Sequence, residues 1–371
     1  MYGNPANNYH YIDTWCGIIV FSSEVLGCNR MKKALLFMSL PDSKVACGVC
    51  QRRCVIAPGK YGFCGTRVNV DGELFSMIYD RVSAINVDPI EKKPLYHFHP
   101  GSLVYSLGTL GCSFSCPGCQ NWGLSHVDTH SAFDNMHELP AEAAVQQALA
   151  AGVAGICWTY NDPAIWLEYT LAGAKLAKKH GLYTAYVTNG SATREHIDMI
   201  GPYLDAYRVD VKGFSDAVYQ KIAGFSNAAG VRDGIAYAKY QWGMHVEIVT
   251  NVTPTINDSE AEIAGIADWI VATLGVDTPW HLTRFHPCED YAGLPMTPTA
   301  TLERCYQQAH KAGLRYIYVG NVPNDPRQDT CCPKCSTLLI HRSGFTVLEN
   351  NLAHGNCPQC NTAIAGVWDS H

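Results

Sequence analysis

The chain has 371 residues, enough for one large domain with smaller additions or for two domains. Charged residues make up only 16% of it, against about 25% in an average globular protein, and the hydrophobic fraction of 47% is ordinary. The formal net charge of −6 gives no electrostatic reason to expect nucleic acid as a partner.

Residues 1–30 show no periodicity and no motif, and a second plausible start, "MKKALLF", begins at Met31. We interpret residues 1–30 as an N-terminal extension. The longest apolar run in it, residues 15–21, lacks a basic flank and is far shorter than the roughly 20 residues that a membrane span needs. We therefore expect a cytoplasmic protein in a reducing compartment, without membrane contact.

The first cysteine cluster lies in a region rich in Gly, Pro and basic residues, which predicts loops. It contains Cys47, Cys50, Cys54 and Cys64. Four thiols so close can complete a metal site, and a reducing cytosol disfavours disulfides. Their spacing is not the usual pair of zinc knuckles, so zinc and an iron–sulfur cluster both stay open. We interpret residues 31–102 as a cysteine-rich N-terminal region that ends in a proline-bearing wrapping segment, residues 88–102.

From residue 103 to residue 320, short β-like runs alternate with helical patterns. This alternation predicts an α/β fold whose parallel strands are joined by right-handed helical crossovers, either as an open sheet or as a full or partial barrel. Ligands of such folds gather at the carboxyl ends of the strands. The predicted strands are residues 103–109, 154–160, 182–188, 205–211, 244–250, 280–285 and 314–320; the predicted helices are residues 139–151, 164–180, 192–200, 228–242, 259–274 and 299–312.

Three cysteines, Cys112, Cys116 and Cys119, follow the first of these strands. Thiolates are soft ligands that suit zinc or iron–sulfur clusters. A zinc site with only these three would need a distant His or Cys as its fourth ligand. A [4Fe–4S] cluster held by three thiolates instead leaves one iron free to chelate a substrate, which gives the odd spacing a chemical use.

The motif Cys112-x3-Cys116-x2-Cys119 after the first strand of an α/β repeat resembles the signature of radical S-adenosylmethionine (radical SAM) enzymes. The stretches "CQNWGLS", "TYNDPAIWLEY", "YVTNG", "DAYRVDVKGF" and "LTRFHP" at successive strand ends, with "DPIEKKPLYHF" upstream, are similar to AmmeMemoRadiSam-system radical SAM enzymes, relatives of pyruvate formate-lyase activating enzymes. The resemblance covers residues 31–371. It implies a partial (β/α)6 TIM-like barrel, a [4Fe–4S] cluster on the three cysteines, and reductive cleavage of SAM to a 5′-deoxyadenosyl radical.

The same resemblance, together with position at strand ends, implies a set of SAM-binding residues. Tyr160, Asn161 and Asp162 follow the second strand, where radical SAM proteins usually contact the SAM amino group. The family commonly has Glu at the position of Asp162, so this shorter carboxylate reaches less far or acts through water. Asn189, after the third strand, is expected to bond the ribose or the carboxylate.

Asp210 and Lys212 lie two residues apart at the end of the fourth strand and so share one face. They resemble an Asp-x-Lys pair that contacts SAM in glycyl-radical activating enzymes. Lys212 would neutralise the methionine carboxylate, and Asp210 would accept from the ribose or the amino group. Without the resemblance, a surface ion pair is an equally good interpretation. Arg284 and His286, after the sixth strand, are placed at the barrel mouth in either a structural or a catalytic role.

Substrate and partners follow from the resemblance alone. It implies an external one-electron donor of the flavodoxin or ferredoxin type, and the Asp-x-Lys likeness suggests hydrogen abstraction from a peptidyl glycine of a protein substrate. A small molecule or another macromolecule is the alternative substrate. A third hypothesis, a non-catalytic metal-binding adaptor, predicts no SAM cleavage.

After residue 320 the alternation stops, and residues 321–371 form a small cysteine-rich module. Cys332 with Cys335, and Cys357 with Cys360, make two Cys-x-x-Cys knuckles at a spacing typical of zinc ribbons. The stretch between them predicts short hairpins that cannot build a core unaided, so bound zinc would supply much of the folding energy. The remaining cysteines are expected to be small buried hydrophobic side chains, with Cys331 as a spare thiol: Cys16, Cys28, Cys157, Cys288, Cys305 and Cys331.

Overall fold

The computed structural model describes residues 31–127, 133 and 136–368. The predicted N-terminal extension, residues 1–30, lies outside the described residues, and so do Cys16 and Cys28. Within the described part, no helix has both the length and the apolar character that crossing a membrane requires.

The cysteine-rich N-terminal region contains more regular structure than its composition indicates. Two small antiparallel sheets, in the orders β1-β6-β5 and β2-β3-β4, form from very short strands. The Asn69 side chain ties them together, since its amide donates to the carbonyl oxygens of Ser43 and Ile56, each at 2.8 Å. The strands are β1 (Lys32–Lys33), β2 (Phe37–Ser39), β3 (Val45–Cys47), β4 (Val55–Ile56), β5 (Arg67–Val70), β6 (Glu73–Ser76), β7 (Arg81–Val82) and β8 (Ala84–Pro89).

The centre of the fold is an eight-stranded sheet, which confirms the α/β class. Its order is β16-β15-β14-β13-β12-β11-β9-β8, and all neighbours are parallel except β8, which runs antiparallel to β9. Each of the seven parallel strands overlaps a predicted run. The remaining strands of the first 320 residues are β9 (Leu103–Gly108), β10 (His137–Glu138), β11 (Gly155–Trp158), β12 (Tyr183–Thr188), β13 (Ala206–Asp210), β14 (His245–Val252), β15 (Trp280–Arg284) and β16 (Ile317–Gly320).

Helices pack against the sheet, and most residues of its parallel strands are buried. Six helices overlap the predicted helical patterns, and the short α1 lies in a motif that was not predicted as a helix, whereas α5 was missed. Its boundaries nevertheless carry local signals: Ser215 caps its first turn, and Gly224 ends it at φ +58°. The helices are α1 (Trp122–Ser125), α2 (Ala141–Ala150), α3 (Leu167–Lys179), α4 (Arg194–Ile200), α5 (Asp216–Ala223), α6 (Ala228–Trp242), α7 (Glu260–Trp269) and α8 (Thr299–Lys311).

The C-terminal module is an antiparallel sheet, β17-β18-β19, that docks on the wrapping segment. The buried Arg342 guanidinium donates to the carbonyl oxygen of Tyr96 at 2.9 Å. The His97 ring is buried too, with its two nitrogens 2.6 Å and 2.5 Å from the Ala365 carbonyl oxygen and the Tyr318 hydroxyl. The strands are β17 (Thr330–Cys331), β18 (Leu338–Ser343) and β19 (Thr346–Asn350).

The cysteines outside the three clusters divide into two groups. Cys157 and Cys305 are fully buried, as predicted. For Cys288 and Cys331 the prediction of burial is wrong, because Cys288 lies half-buried in the loop after β15 and Cys331 is exposed beside the first C-terminal knuckle.

Candidate active site and metal centres

A large cavity opens at the carboxyl ends of the parallel strands. Its interior volume is about 440 Å³. The structure brings to its wall nine residues that the sequence singles out, although their roles stay predictions: Cys112, Cys116, Cys119, Tyr160, Asn161, Asp162, Asn189, Asp210 and Lys212.

The loop that carries the three central cysteines depends on a glycine. Gly111 has φ +84°, and a Cβ there would come within 2.5 Å of the Cys64 carbonyl oxygen, so no other residue fits without displacement. The Ser125 hydroxyl, from α1, lies 3.2 Å from the Cys119 sulfur. Burial raises the pKa of the Cys116 thiol to about 11 and that of Cys112 well above its usual value. Without a bound metal these thiols are therefore protonated at neutral pH.

Asp162 is the hub of a buried hydrogen-bond network. Its carboxylate accepts from the hydroxyls of Ser113 at 2.6 Å, Thr188 at 2.7 Å and Ser191 at 2.8 Å. These donors belong to the cysteine loop, the end of β12 and the loop after β12. The sequence analysis assigns this carboxylate to the SAM amino group, whereas here it accepts hydrogen bonds from three hydroxyls of the protein. Through these bonds Asp162 connects two loops of the site.

Two asparagines fix the same cysteine loop from either side. The Asn161 amide donates to the carbonyl oxygen of Gly111 at 2.8 Å. The Asn189 amide donates to the Ser113 hydroxyl at 2.9 Å and lies 3.7 Å from the Cys112 sulfur. Both side chains line the cavity while holding the loop in place.

Tyr160 is held by a charge cluster that the sequence did not reveal. Its hydroxyl donates to Asp88 at 2.9 Å, and the same carboxylate binds Lys92 at 2.7 Å and Lys93 at 2.6 Å. Burial opposes the charge on Asp88, yet its hydrogen bonds to the two lysines hold its pKa well below the usual range. The Lys93 ammonium also lies 4.8 Å from the centre of the Tyr160 ring. The charged residues of this cluster were visible in "DPIEKKP", but that stretch does not identify their partner Tyr160, which follows β11.

At the end of β13, alternating residues form a second charge cluster. Asp210 accepts from Arg208 at 2.6 Å and from Lys212 at 3.0 Å. Burial opposes the charge of each residue. Attraction to Arg208 and Lys212 nevertheless lowers the pKa of Asp210, and attraction to Asp210 raises the pKa of Lys212. Sequence reasoning missed Arg208, although its position two residues before Asp210 places it on the same face.

The loop after β15 contributes differently from what the sequence suggests. Thr283 and Phe285 line the cavity, whereas the Arg284 side chain donates from Nε to the carbonyl oxygen of Thr297 at 2.8 Å. His286 is not part of the described cavity wall. Neighbouring side chains of an extended strand point to opposite faces, so Arg284 points away from the cavity that Thr283 and Phe285 line.

The four C-terminal cysteines gather into one compact group. Their sulfur atoms all lie within 4.8 Å of one another, with the Cys332–Cys360 and Cys335–Cys357 pairs each at 3.6 Å. A tetrahedral zinc with Zn–S bonds of about 2.3 Å requires S···S separations of about 3.8 Å. The group can therefore hold a metal ion. Phe345, in the turn between β18 and β19, also lines the large cavity.

The N-terminal cysteines lie around a second, smaller cavity. Cys47, Cys50, Cys54 and Cys64 all line it. Among the residues that the structure describes, the C-terminal four are the only group of three or more metal-ligating side chains gathered within 4.8 Å.

Comparisons with known proteins support the motifs. A sequence model of the Radical SAM superfamily matches residues 107–270. The chain is 35% identical over 322 residues to an uncharacterized protein of Methanocaldococcus jannaschii, covering 87% of this chain and 95% of that protein. It is 28% identical over 174 residues to the isethionate sulfite-lyase activating enzyme of Nitratidesulfovibrio vulgaris, covering 46% of this chain and 56% of that protein.

Two solved structures are also similar. A domain of the pyruvate-formate lyase-activating enzyme from Bacteroides vulgatus aligns with a TM-score of 0.40 at 17% identity, covering 45% of this chain and 99% of that one. A radical SAM methyltransferase from Sphaerobacter thermophilus aligns with a TM-score of 0.46 at 15% identity, covering 62% of this chain and 68% of that one.

Proposed function

The chain belongs to the radical SAM superfamily, and on that premise we propose that it cleaves SAM reductively and uses the resulting 5′-deoxyadenosyl radical to remove hydrogen from a substrate. One observation carries the proposal. Nine residues from motifs scattered over a hundred positions line a single cavity at the strand ends. A cofactor carries the difficult chemistry in such enzymes, and the protein binds and orients the reactants.

The residues fit the cofactors that the family implies. Cys112, Cys116 and Cys119 would hold a [4Fe–4S] cluster, since thiolates are its usual ligands and the sulfurs are not gathered as closely as those of the C-terminal group. When bound, the cluster supplies the electron that breaks a C–S bond of SAM. The cavity beside these cysteines is large enough for SAM and part of a substrate.

The charges of the cavity suit a zwitterionic methionine group. Lys212 offers an ammonium near Cys116 and would bind the SAM carboxylate. Asp210, already held by two cations, would accept a hydrogen bond from the amino group or the ribose. Asn189 and Asn161 keep the cysteine loop rigid, which fixes the position of the reacting bond.

For the substrate, we propose a peptidyl glycine of another protein. Support comes from the similarity to an activating enzyme and from the Asp210-x-Lys212 pair. The electron would come from an external flavodoxin- or ferredoxin-type donor, and the cytoplasm would keep the thiols reduced. We also propose that the C-terminal cysteines bind zinc.

The experiment is an anaerobic reconstitution with iron and sulfide, followed by dithionite and SAM and an assay for 5′-deoxyadenosine. The wild type should form it, and Cys116→Ala should not. Cys157→Ala, a buried thiol outside the cavity, is the matched control and should keep the activity. Formation by Cys116→Ala at the wild-type rate would contradict the proposal.

Cell extract, separated by size before it is added, then tests the substrate class. Stimulation by the macromolecular fraction, lost after protease treatment, supports a protein substrate. Stimulation by the small-molecule fraction favours the alternative class. If the reconstituted protein forms no 5′-deoxyadenosine even with whole extract, the adaptor hypothesis replaces the enzymatic one.

A further inference from the structure

The four N-terminal cysteines converge from three neighbouring stretches of chain. Cys47 ends β3, and its backbone N–H donates to the carbonyl oxygen of Cys54 at 2.9 Å. Cys50 makes a β-bridge with Ala192, in the loop after β12. Together with Cys64 they line the smaller cavity. No feature of the proposed reaction uses these four thiols.

The spacing of the sulfurs distinguishes between two kinds of metal. The C-terminal sulfurs gather within 4.8 Å, close to the separations that one tetrahedral zinc requires. Among the described residues, neither the N-terminal four nor the central three are gathered in this way. An iron–sulfur cluster holds each cysteine on a different iron, so its thiolates stand farther apart around a cavity. In this respect the N-terminal set resembles the central set rather than the C-terminal one.

A buried arginine points to an anionic occupant. Arg67 lines the cavity and is fully buried, and its Nη atoms bind Glu168 at 3.1 and 2.6 Å. Its Nε has no hydrogen-bond partner among the described residues. An unpaired buried donor is unfavourable, so it favours an occupant that accepts from it. Thiolates at Cys47 and Cys64, which line the same cavity, would supply negative charge there.

The thiols also receive hydrogen bonds of the kind that tune iron–sulfur clusters. The Thr66 hydroxyl lies 3.2 Å from the Cys64 sulfur. In the central set, the Ser125 hydroxyl lies at the same distance from the Cys119 sulfur. Donors to sulfur stabilise thiolate charge and help to set the reduction potential of a cluster.

The backbone of the central cysteine loop lies between the two cysteine sets. Ser113, next to Cys112, lines the N-terminal cavity as well. Arg52 crosses this layer, since its guanidinium donates to the carbonyl oxygens of Ser113 and, at 2.7 Å, Gly224. It interacts electrostatically with Cys50 and Cys54 on one side and with Cys112 and Cys116 on the other.

We propose that Cys47, Cys50, Cys54 and Cys64 bind a second iron–sulfur cluster of the [4Fe–4S] class, next to the SAM-binding site. With four cysteines for four irons, this cluster has no open iron and does not chelate substrate. The inference rests on the proposed function only in taking the central cysteines as a cluster site.

Metal analysis of two complementary variants tests the site. After anaerobic reconstitution and desalting, the triple variant Cys112→Ala, Cys116→Ala, Cys119→Ala should keep about half of the wild-type iron and sulfide, about four of each per chain. Once reduced with dithionite it should show an EPR signal that does not change when SAM is added. Iron near zero in this variant would overturn the proposal.

The reciprocal variant Cys50→Ala, Cys54→Ala should lose the other half of the iron and keep a signal that SAM perturbs. Loss of about one zinc with full iron would overturn the proposal in favour of a zinc site. Cys331→Ala, an exposed cysteine outside the clusters, is the matched control and should leave all metals unchanged. If Cys50→Ala, Cys54→Ala fails to fold, the triple variant still decides. Formation of 5′-deoxyadenosine by the wild type tests the proposed function separately.

Discussion

The ammonium of Lys212 lies 3.0 Å from one carboxylate oxygen of Asp210, whose other oxygen is bound by Arg208 at 2.6 Å. Two cations thus share one anion at the wall of the cavity, which leaves a net positive charge facing Cys116. Such a site favours an anionic ligand, because attraction between charges strengthens where water is largely excluded.

Replacing Lys212 by Met should therefore weaken SAM binding. Losing a hydrogen bond to a charged group costs about 1.5–3 kcal/mol, which corresponds to about a 10- to 150-fold increase in Kd. Equilibrium dialysis of labelled SAM against the reconstituted protein measures it. Lys212→Arg should recover part of the affinity, and Lys311→Met, an exposed change on α8, should have no effect. Equal affinity for Lys212→Met and wild type would show that Lys212 does not contact SAM.

Asp162→Asn should destabilise the protein even without cofactors. The carboxylate accepts from three hydroxyls, and an amide offers one oxygen acceptor in place of two. We expect a loss of about 1–3 kcal/mol in the free energy of unfolding, measured with urea. Asp268→Asn, an exposed change on α7, should change it by less than about 0.5 kcal/mol. A change no larger than that control would mean that the hydroxyls rearrange without cost.

The buried cluster around Asp88 predicts a pH dependence of stability. Its folded-state pKa is depressed below the ordinary value of 3.8, so its contribution is present at neutral pH and is lost as the pH falls below about 4. Asp88→Asn leaves Lys93 buried without its anion and should cost about 3–5 kcal/mol at pH 7. The difference from wild type should shrink in acid.

Urea unfolding at several pH values measures this difference. The control is Glu73→Gln, which breaks the exposed Lys33–Glu73 pair and should cost less than about 1 kcal/mol. A deficit of Asp88→Asn that stays constant from pH 7 into acid would exclude the ionised carboxylate as its cause.

Cys357→Ala should release about one zinc per chain and leave the iron unchanged. Because metal binding supplies much of the folding energy of such a small module, β18 and β19 should lose protection against proteolysis. Metal analysis and limited proteolysis measure the two effects. Cys331→Ala lies next to a knuckle but outside the compact group and should behave as wild type. A loss of iron instead of zinc would exclude a zinc site.

The alternation of strand-like and helical patterns predicted the positions of all seven parallel strands. Each of these strands coincides with a short, largely apolar run of the sequence. The alternation did not predict α5, whose eight residues are too few to show a clear period. The N-terminal sheets were missed for another reason. Their strands, such as Val55–Ile56, are short and are aligned by contacts with distant chain, for instance through Asn69.

The sequence predicted those residues of the site whose location follows from their position at the end of a strand. The carboxyl ends of parallel strands meet at one edge, so motifs there converge whatever their distance in sequence. The sequence did not predict hydrogen bonds between residues that only the tertiary structure brings together. Asp88 and Tyr160 are 72 positions apart, and nothing local to either residue names the other. Asp162 likewise meets Ser191 only after β12 has been placed beside β11.

Phe345 couples the C-terminal module to the large cavity. This side chain, carried at the tip of the hairpin between β18 and β19, forms part of the cavity wall. Hairpins of this kind open locally at a lower free energy than the core does. We therefore expect that local opening of the module, for instance in the Cys357→Ala variant, changes the cavity wall at this position.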